Sequence, residues 1–557
     1  MLQRQSEGLH LTHRTDVARL VLGEECVRRL VFPTIVMDAT DMVRPLVLQR
    51  GGETQAVFLA ESEQPALAWA KPGRVILHGY YFTWDTRPRP GLADAVATAA
   101  DGAKILLDPD APAALLRTLQ ASATVEIGAA PPPAPVYAFE LATVDVDQRW
   151  SADEGDLQAA ARRAAGKLED HRGGAAIGAT APKRFPTLER TLQEAGLDGI
   201  LLTSPLHVQG LTGFPLEDLK RGSVAALYMR GERDVILLAQ PDSVPPLTRR
   251  LGRHVTLAAA LAAFAQGRIG YEDLHLPAGA LHALTDRYGD LVPASETVRR
   301  WEDRMAAANV AGFLLASLSA VQGMDYTIEH ARHLSETGRG YTEEDLLVVY
   351  RNAVQRFAQS LGTACQVRPY FEIIQAGERS AYPAVPSSFP ITASTHTIKF
   401  DMGIHIVDRR GLIRGCSDLA RTCAFGAEAS EMNATLDRVL RYELPLAIQP
   451  GRTGGDVYAS GVASLTRHEA QFRALGFLPD GLTAKGYARD CGHGLGRQTP
   501  CTVHFVAGST ATLEDGMVTC AELVWPLGPN VFAVEDAWFL DGAQQVNLTR
   551  HTGWVWD

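Results

Sequence analysis

Five residues in the C-terminal third of the chain have the types and spacing needed to hold metal. They are Asp401 in IKFDMG, Asp418 in CSDLART, His493 in GHGLG, Glu522 in VTCAEL and Glu535 in AVEDAW. Four carboxylates and one imidazole suit Mn, Fe, Co or Zn better than Ca or Mg. A carboxylate-rich set of this size can bridge two divalent cations, which together activate a water and clamp the group under attack. Asp401 closes a run of Ile and Phe, where a carboxylate is costly unless it is paired or metal-bound.

Local signals bring these residues together. The turn sequence DRRG (residues 408–411) lies midway between Asp401 and Asp418. A hairpin centred there pairs Asp401 with Asp418 across two strands, close enough to share one metal. Glycines flank His493 on both sides and permit close backbone approach. Glu522 and Glu535 each interrupt an apolar strand, and the segment between them carries Gly, Pro and Asn. This predicts a strand-turn-strand unit that juxtaposes two carboxylates. His405, four residues past Asp401, falls on the same strand face and is a further candidate for the pocket, whereas His396 is at an odd offset and faces away.

These motifs need elements to position them. With 557 residues, 46% hydrophobic and 21% charged, the composition is that of a soluble globular protein with several cores. A net charge of −11 argues against a general binder of nucleic acid or anionic membranes. No apolar run reaches a membrane-spanning length, and the N-terminus MLQRQSEGLHLTHR lacks a secretory apolar segment. The seven cysteines form no CxxC pair. Cys416, Cys423 and Cys491 read as small buried residues rather than ligands, and a cytoplasmic location is expected.

The Pro-rich AAPPPAPVYA and the Gly/Ala/Pro-rich HRGGAAIGATAPKRFP read as breaks. They predict a first domain over 1–150, a linker over 151–184, a second domain over 185–297 and a catalytic domain over 298–557. Short apolar runs alternating with helical patterns make the first two domains α/β, and the two look like copies of one plan. From residue 298 two long helical patterns precede a series of strands, an α+β arrangement. The second of those helices opens at Thr342 with Asp345 three residues on, a cap-like pair.

The region from about residue 300 to 557 resembles the pita-bread metallopeptidase family, which includes aminopeptidase P, prolidase, methionine aminopeptidase and creatinase. The family pattern is met by Asp401 with Gly403, Asp418 with Arg421 and Thr422, Gly492 to Gly496, Glu522, and Glu535 with Asp536. GLDGILLTSPLHVQGLTGF (residues 196–214) resembles the family's N-terminal domain, and two such domains in succession resemble three-domain, dimeric aminopeptidase P.

The resemblance implies a pita-bread catalytic domain behind two creatinase-like N-terminal domains. It implies two divalent metal ions, Mn before Fe, Co or Zn, held by Asp401, Asp418, His493, Glu522 and Glu535. It further implies Glu522 as general base, a metal-bound hydroxide as nucleophile, a homodimer, and a small-molecule or short-peptide substrate. Several positions depart from the family. Ala384 stands where the family has a proton-shuttling His, and an alanine cannot move a proton. Ala420 replaces a Thr, Leu523 and Val524 replace Pro-Gly, and Ala533 replaces an Arg. His405 and His504 are the candidate stand-ins for the missing His. The leading expectation is hydrolysis of a C–N bond in a small amino-acid-like or modified substrate. Xaa-Pro cleavage is the alternative, followed by a metal-assisted lyase or rearrangement and a non-enzymatic binding module.

Overall fold

In the computed structural model of the protein, the described residues are 17–22, 46–50, 53–60, 75–78, 91–128, 135–177, 183–220, 224–240, 248–286, 288–381, 386–488, 490–497, 500–527, 530–542 and 544–557. Ala384 lies outside them. The chain divides into two compact units. The first comprises Met1–Ala142, Gly196–Val208 and Leu219–Ser295, and the second Thr143–Ala195, Gln209–Asp218 and Glu296–Asp557.

The first unit carries two mixed sheets. One contains β1 (Val17–Leu22), β2 (Leu46–Arg50), β3 (Glu53–Ala60), β4 (Val75–His78), β5 (Lys104–Leu107) and β6 (Val125–Ile127), in the order β4-β3-β2-β1-β5-β6. The other contains β7 (Val136–Ala142), β8 (Gly199–Leu202), β9 (Val224–Met229), β10 (Asp234–Ala239), β11 (Arg249–His254), β12 (Ile269–Tyr271) and β13 (Leu291–Pro293), in the order β11-β7-β10-β9-β8-β12-β13. Each sheet follows the same plan. An antiparallel meander (β1-β2-β3, β8-β9-β10) is extended at its first strand by two parallel strands (β5 and β6, β12 and β13).

The expected boundaries at 150 and 185 need correction. β7 pairs with β10 and β11, so the second sheet recruits chain from ahead of the expected linker. Within the 151–184 stretch, Glu154–Ala165 forms a helix whose Leu157, Ala160, Ala161, Ala164 and Ala165 join the core of the second unit. An alanine-rich apolar stripe at helical spacing outweighs the Gly and Pro signals around it.

The second unit is built on the Val310–Glu336 helix, buried along most of its length. The long helical pattern ahead of it is broken by a tight turn at Ala306–Asn309. By length and composition Ser295–Glu336 could cross a membrane, in contrast to the expectation that no run is long enough, but 89% of its apolar window is buried in the core. The next helix, Glu343–Ser360, starts at the predicted cap: Asp345 N–H donates to Thr342 Oγ1 at 3.2 Å, and Thr342 N–H donates to the Asp345 carboxylate at 2.9 Å.

A two-residue pair, β14 (Tyr341–Thr342) and β16 (Pro390–Ile391), precedes two larger sheets. The first joins β15 (Gln366–Ala376), β17 (Thr397–Val407), β18 (Ile413–Cys416) and β19 (Leu419–Ala424), with β17 central and buried at every position. The second runs β21 (Pro500–Val506), β20 (Asp490–Leu495), β22 (Val518–Leu527), β23 (Asn530–Asp541) and β24 (Gln544–Asn547). All five candidate ligands sit on or beside these strands.

Candidate metal centre

Register sets which side chains meet. In β17 Asp401 is opposite Ile373 of β15 and Ala420 of β19. Asp418, in the break between β18 and β19, is therefore diagonal to Asp401 and not directly opposite as expected. The reason is the turn. Asp408 Oδ1 accepts from Arg410 N–H at 2.9 Å and from Leu412 N–H at 3.0 Å, an Asx-type cap that carries the loop through Leu412. An irregularity at Ile406/Val407 completes the offset. Moving a hairpin's centre by one residue shifts the pairing by two, and a diagonal neighbour still shares the face. Gly403 is required for close approach, since a Cβ there would meet the Phe371 ring at 2.1 Å.

The second sheet supplies the other candidate ligands. Glu522 and Glu535 are directly opposite each other in β22 and β23. His493 pairs with Cys520, two residues from Glu522 and on its face. Gly492, at φ 119°, leaves no room for a side chain because a Cβ would lie 2.0 Å from the Cys520 carbonyl oxygen. His493 Nδ1 lies 2.9 Å from the Gly494 carbonyl, which favours the Nδ1–H tautomer and leaves Nε2, 3.6 Å from Asp418 Oδ2, available to a metal. One donor atom each from Asp418, His493 and Glu535 lies within 4.8 Å of the others.

The electrostatics fit a divalent cation. Burial, only partly offset by Lys399, raises Asp401 to about 7, and burial raises Asp418 to about 7. Burial together with the charges of Asp490, Asp401 and Asp418 lifts Glu522 well above the carboxylate range. Burial and the charges of Asp418, Glu522 and Asp401 do the same for Glu535. Glu535 Oε1 is buried and has no hydrogen-bond partner among the described residues. Three buried carboxylates and the part-buried Asp418, clustered without matching positive charge, are what a cation would satisfy. The nearby thiols are not part of this set. Burial pushes Cys423 up to about 11 and Cys416 well above the thiol range, and the Cys416 Sγ–H and Cys520 Sγ–H groups donate to the carbonyls of Gly496 and Asp418.

Support comes from the residues that complete each motif. Arg421 donates to the Glu535 carbonyl and, at 2.7 Å, to Asp536 Oδ1, while Arg550 donates to Asp536 Oδ2 at 2.6 Å. Burial would raise Asp536, but Arg550 and Arg421 more than offset it and hold the carboxyl far below its usual range. Thr422 Oγ1 donates to the Ala533 carbonyl at 2.9 Å and accepts from Ala533 N–H at 2.8 Å. β19 and β23 are thus locked together on either side of the ligands.

The two histidine stand-ins have different surroundings. His405 is buried and lies flat on Tyr370, with ring centroids 4.0 Å apart. Tyr370 O–H donates to the Ser417 carbonyl at 3.0 Å, next to Asp418. His504 is exposed and lies across from His493, with ring centroids 6.3 Å apart.

Three residues were missed in the sequence: Lys399, Tyr370 and Asp490. Lys399 is legible by alternation. It lies two positions before Asp401 on the same face of a buried strand, and the Asp401 and Glu522 charges act on its ammonium. Lys399→Met removes a cation beside the ligands and is expected to tighten divalent-metal binding about tenfold, read by competition with a chromogenic chelator. Unchanged affinity would separate Lys399 from the cage.

A pH dependence follows from the raised carboxyls. Asp401 and Asp418 bind protons more tightly folded, at about 7, than unfolded, at about 3.9. The folded state therefore gains from protonation, and the stability of metal-free protein is lost as pH rises from about 4 through about 7. Metal binds the deprotonated form and reverses the trend. Chelator-treated protein is expected to melt lower at about pH 8 than at about pH 5, with added Mn restoring it. Equal melting at both pH values would count against the raised carboxyls.

With the geometry in place, comparison with known proteins defines the class. Residues 316–543 match the model of metallopeptidase family M24, and residues 184–303 match the creatinase/prolidase N-terminal domain. Residues 316–543 thus carry a segment of the M24 metallopeptidase type and residues 184–303 one of the creatinase/prolidase N-terminal type, which supports a metal-dependent hydrolase. An uncharacterized peptidase of Bacillus subtilis, YqhT, is 24% identical over 360 residues, covering 61% of this chain and 89% of that protein. The X-prolyl aminopeptidase of Caenorhabditis elegans, described as a cytosolic enzyme with a dinuclear active site, matches over 98% of this chain and 88% of its own, with 12% identity and a TM-score of 0.62. The prolidase of Pyrococcus horikoshii matches over 67% of this chain and 99% of its own, with 16% identity and a TM-score of 0.49.

Proposed function

We propose that the protein hydrolyses a C–N bond of a small, amino-acid-like or modified substrate, with two divalent ions held by Asp401, Asp418, His493, Glu522 and Glu535. The observation that carries this reading is the convergence of four buried donors and the part-buried Asp418 from two sheets, with Arg421 and Thr422 tying β19 to β23 behind them. The ions, when bound, would supply an activated water and Lewis-acid polarisation of the group under attack. Glu522 takes the proton from the attacking water and delivers it to the leaving nitrogen. Burial and the neighbouring carboxylates make it hold a proton more tightly than an ordinary glutamate, as a group that accepts and passes on a proton must. Asp418 and Glu535, which share the tight group with His493, would be the residues to hold both ions. Mn is the first candidate because the donors are mainly carboxylate oxygen.

Ala420 and Ala533 are small where the family has larger polar groups, which favours a substrate other than an ordinary Xaa-Pro peptide. One observation favours Xaa-Pro cleavage instead: His504 lies across from His493, on the strand next to the ligand. A panel of Xaa-Pro peptides and non-peptide amides, assayed with added Mn, separates the two readings. Turnover of amides but not of Xaa-Pro peptides is the expected result. If the wild type cleaves Xaa-Pro peptides and Glu522→Ala abolishes that turnover, the altered-substrate reading is wrong.

A further inference from the structure

Away from the cage, the first unit gathers a second set of metal-type donors: His207, Glu272 and His275. One ligand atom from each lies within 4.8 Å of the other two. Their location in the sheet is that of a ligand site. β8 and β12 are adjacent parallel strands, with Gly199, Ile200 and Leu201 opposite Ile269, Gly270 and Tyr271. Glu272 follows β12 immediately and His275 comes three residues later, while His207 lies five residues beyond the end of β8. All three therefore collect at the carboxyl ends of parallel strands, the edge at which open α/β sheets bind their ligands.

Glu272 is fixed before any ligand arrives. It is completely buried, and its Oε2 accepts the backbone N–H of Ser204 at 2.8 Å and that of Thr203. These bonds turn Oε1 toward the imidazoles, and Oε1 contacts His207 Nδ1. Backbone groups that orient a carboxylate in this way are what holds a ligand in place behind a metal. The two rings stand edge to face, with centroids 6.0 Å apart and planes at 83°. Both histidines are part-exposed, so an ion has a route from solvent. The neighbouring Asp273 is committed elsewhere, accepting from Ser295 N–H at 3.2 Å and from Arg117.

The plain alternative is a buried ion pair between Glu272 and a charged His207. One imidazole completes such a pair. A second imidazole at the same carboxylate adds repulsion if both rings are charged, but adds a ligand if a cation sits between them. Two imidazoles and one carboxylate select zinc and its neighbours in the first transition row over Mg or Ca.

We propose that His207, Glu272 and His275 form a binding site for one zinc-class divalent ion, separate from the cage, that ties the segment after β8 to the end of β12. Three protein ligands leave a coordination position for water.

The test uses the full chain, stripped with chelator, reloaded with zinc, desalted and assayed for bound metal. His207→Asn keeps a hydrogen-bond donor toward Glu272 but changes the ligand, and His275→Ala removes the more peripheral ring. Each is expected to hold one zinc fewer than wild type, whereas Asp418→Ala loses cage metal and keeps this ion. Equal zinc in wild type and both variants overturns the proposal. A second readout needs no variant. Labelling of wild-type histidines with diethyl pyrocarbonate, mapped by mass spectrometry, is expected to fall at His207 and His275 when zinc is present, and equal labelling with and without zinc overturns it as well.

Discussion

Asp418→Ala is expected to lower turnover of any substrate the wild type hydrolyses by at least about a thousandfold, and to strip the cage of tightly held metal. Asp418 is the residue the others depend on. It lies 3.6 Å from His493 Nε2, shares the tight group with Glu535, and its charge acts on Asp401, Glu522 and Glu535. Its loss removes a bridge between the two sheets' ligands, not a peripheral contact. Folding should survive, because a part-buried carboxylate crowded by three others is a burden to the metal-free protein. Melting at or above the wild-type temperature in chelator, combined with lost activity, is the expected pair of results. A variant that keeps both metal and turnover would show that the cage is not where the ions bind.

The second large effect is on stability. Asp536→Ala leaves Arg421 and Arg550 facing a void with their shared carboxylate gone. Breaking one side of a buried charge network typically costs about 3–5 kcal/mol, and this one has two guanidiniums to strand. Urea unfolding of the variant should show a loss of that size. Asp437 also pairs with Arg550, at 2.6 Å, but is part-exposed, so Asp437→Ala should cost about 1 kcal/mol or less. Similar losses for the two variants would mean that Asp536 is not the keystone between β19 and β23. The contrast also explains why the Glu-Asp step and the Arg-Thr step occur together: Arg421 joins the Glu535 carbonyl to the Asp536 side chain, and Thr422 binds the Ala533 backbone.

Much of the site was legible because each ligand sits in a short context with a physical signature. A carboxylate set into an apolar strand, glycines around a lone imidazole and two glutamates across a turn can all be read locally, although β17 runs on past Asp401, where the strand was expected to end, to Val407. The pairing of Asp401 was not legible to the same depth. The turn sequence gave the hairpin, but the Asp408 side-chain cap and the irregularity at Ile406/Val407 moved its centre by one residue. Lys399 could have been found, since period-two alternation puts it on the face of Asp401. Tyr370 could not, because its place against His405 depends on β15 pairing with β17 from thirty residues away.

The N-terminal half shows the same limit. The rhythm of strands and helices predicted two copies of one plan, and the sheets repeat it. The recruitment of β7 into the second sheet had no local sign. The His207–Glu272–His275 cluster spans 65 residues between its first two members and follows no spacing rule, so only the parallel pairing of β8 and β12 reveals it.

The central claim is that the five-residue cage binds divalent metal. Its most direct test is metal content per chain, measured on wild type and Asp418→Ala after the same Mn reconstitution and desalting. The account predicts that wild type carries about one to two ions per chain more than the variant. The same metal content in both proteins, or less than about one ion per two chains in the wild type, would contradict it.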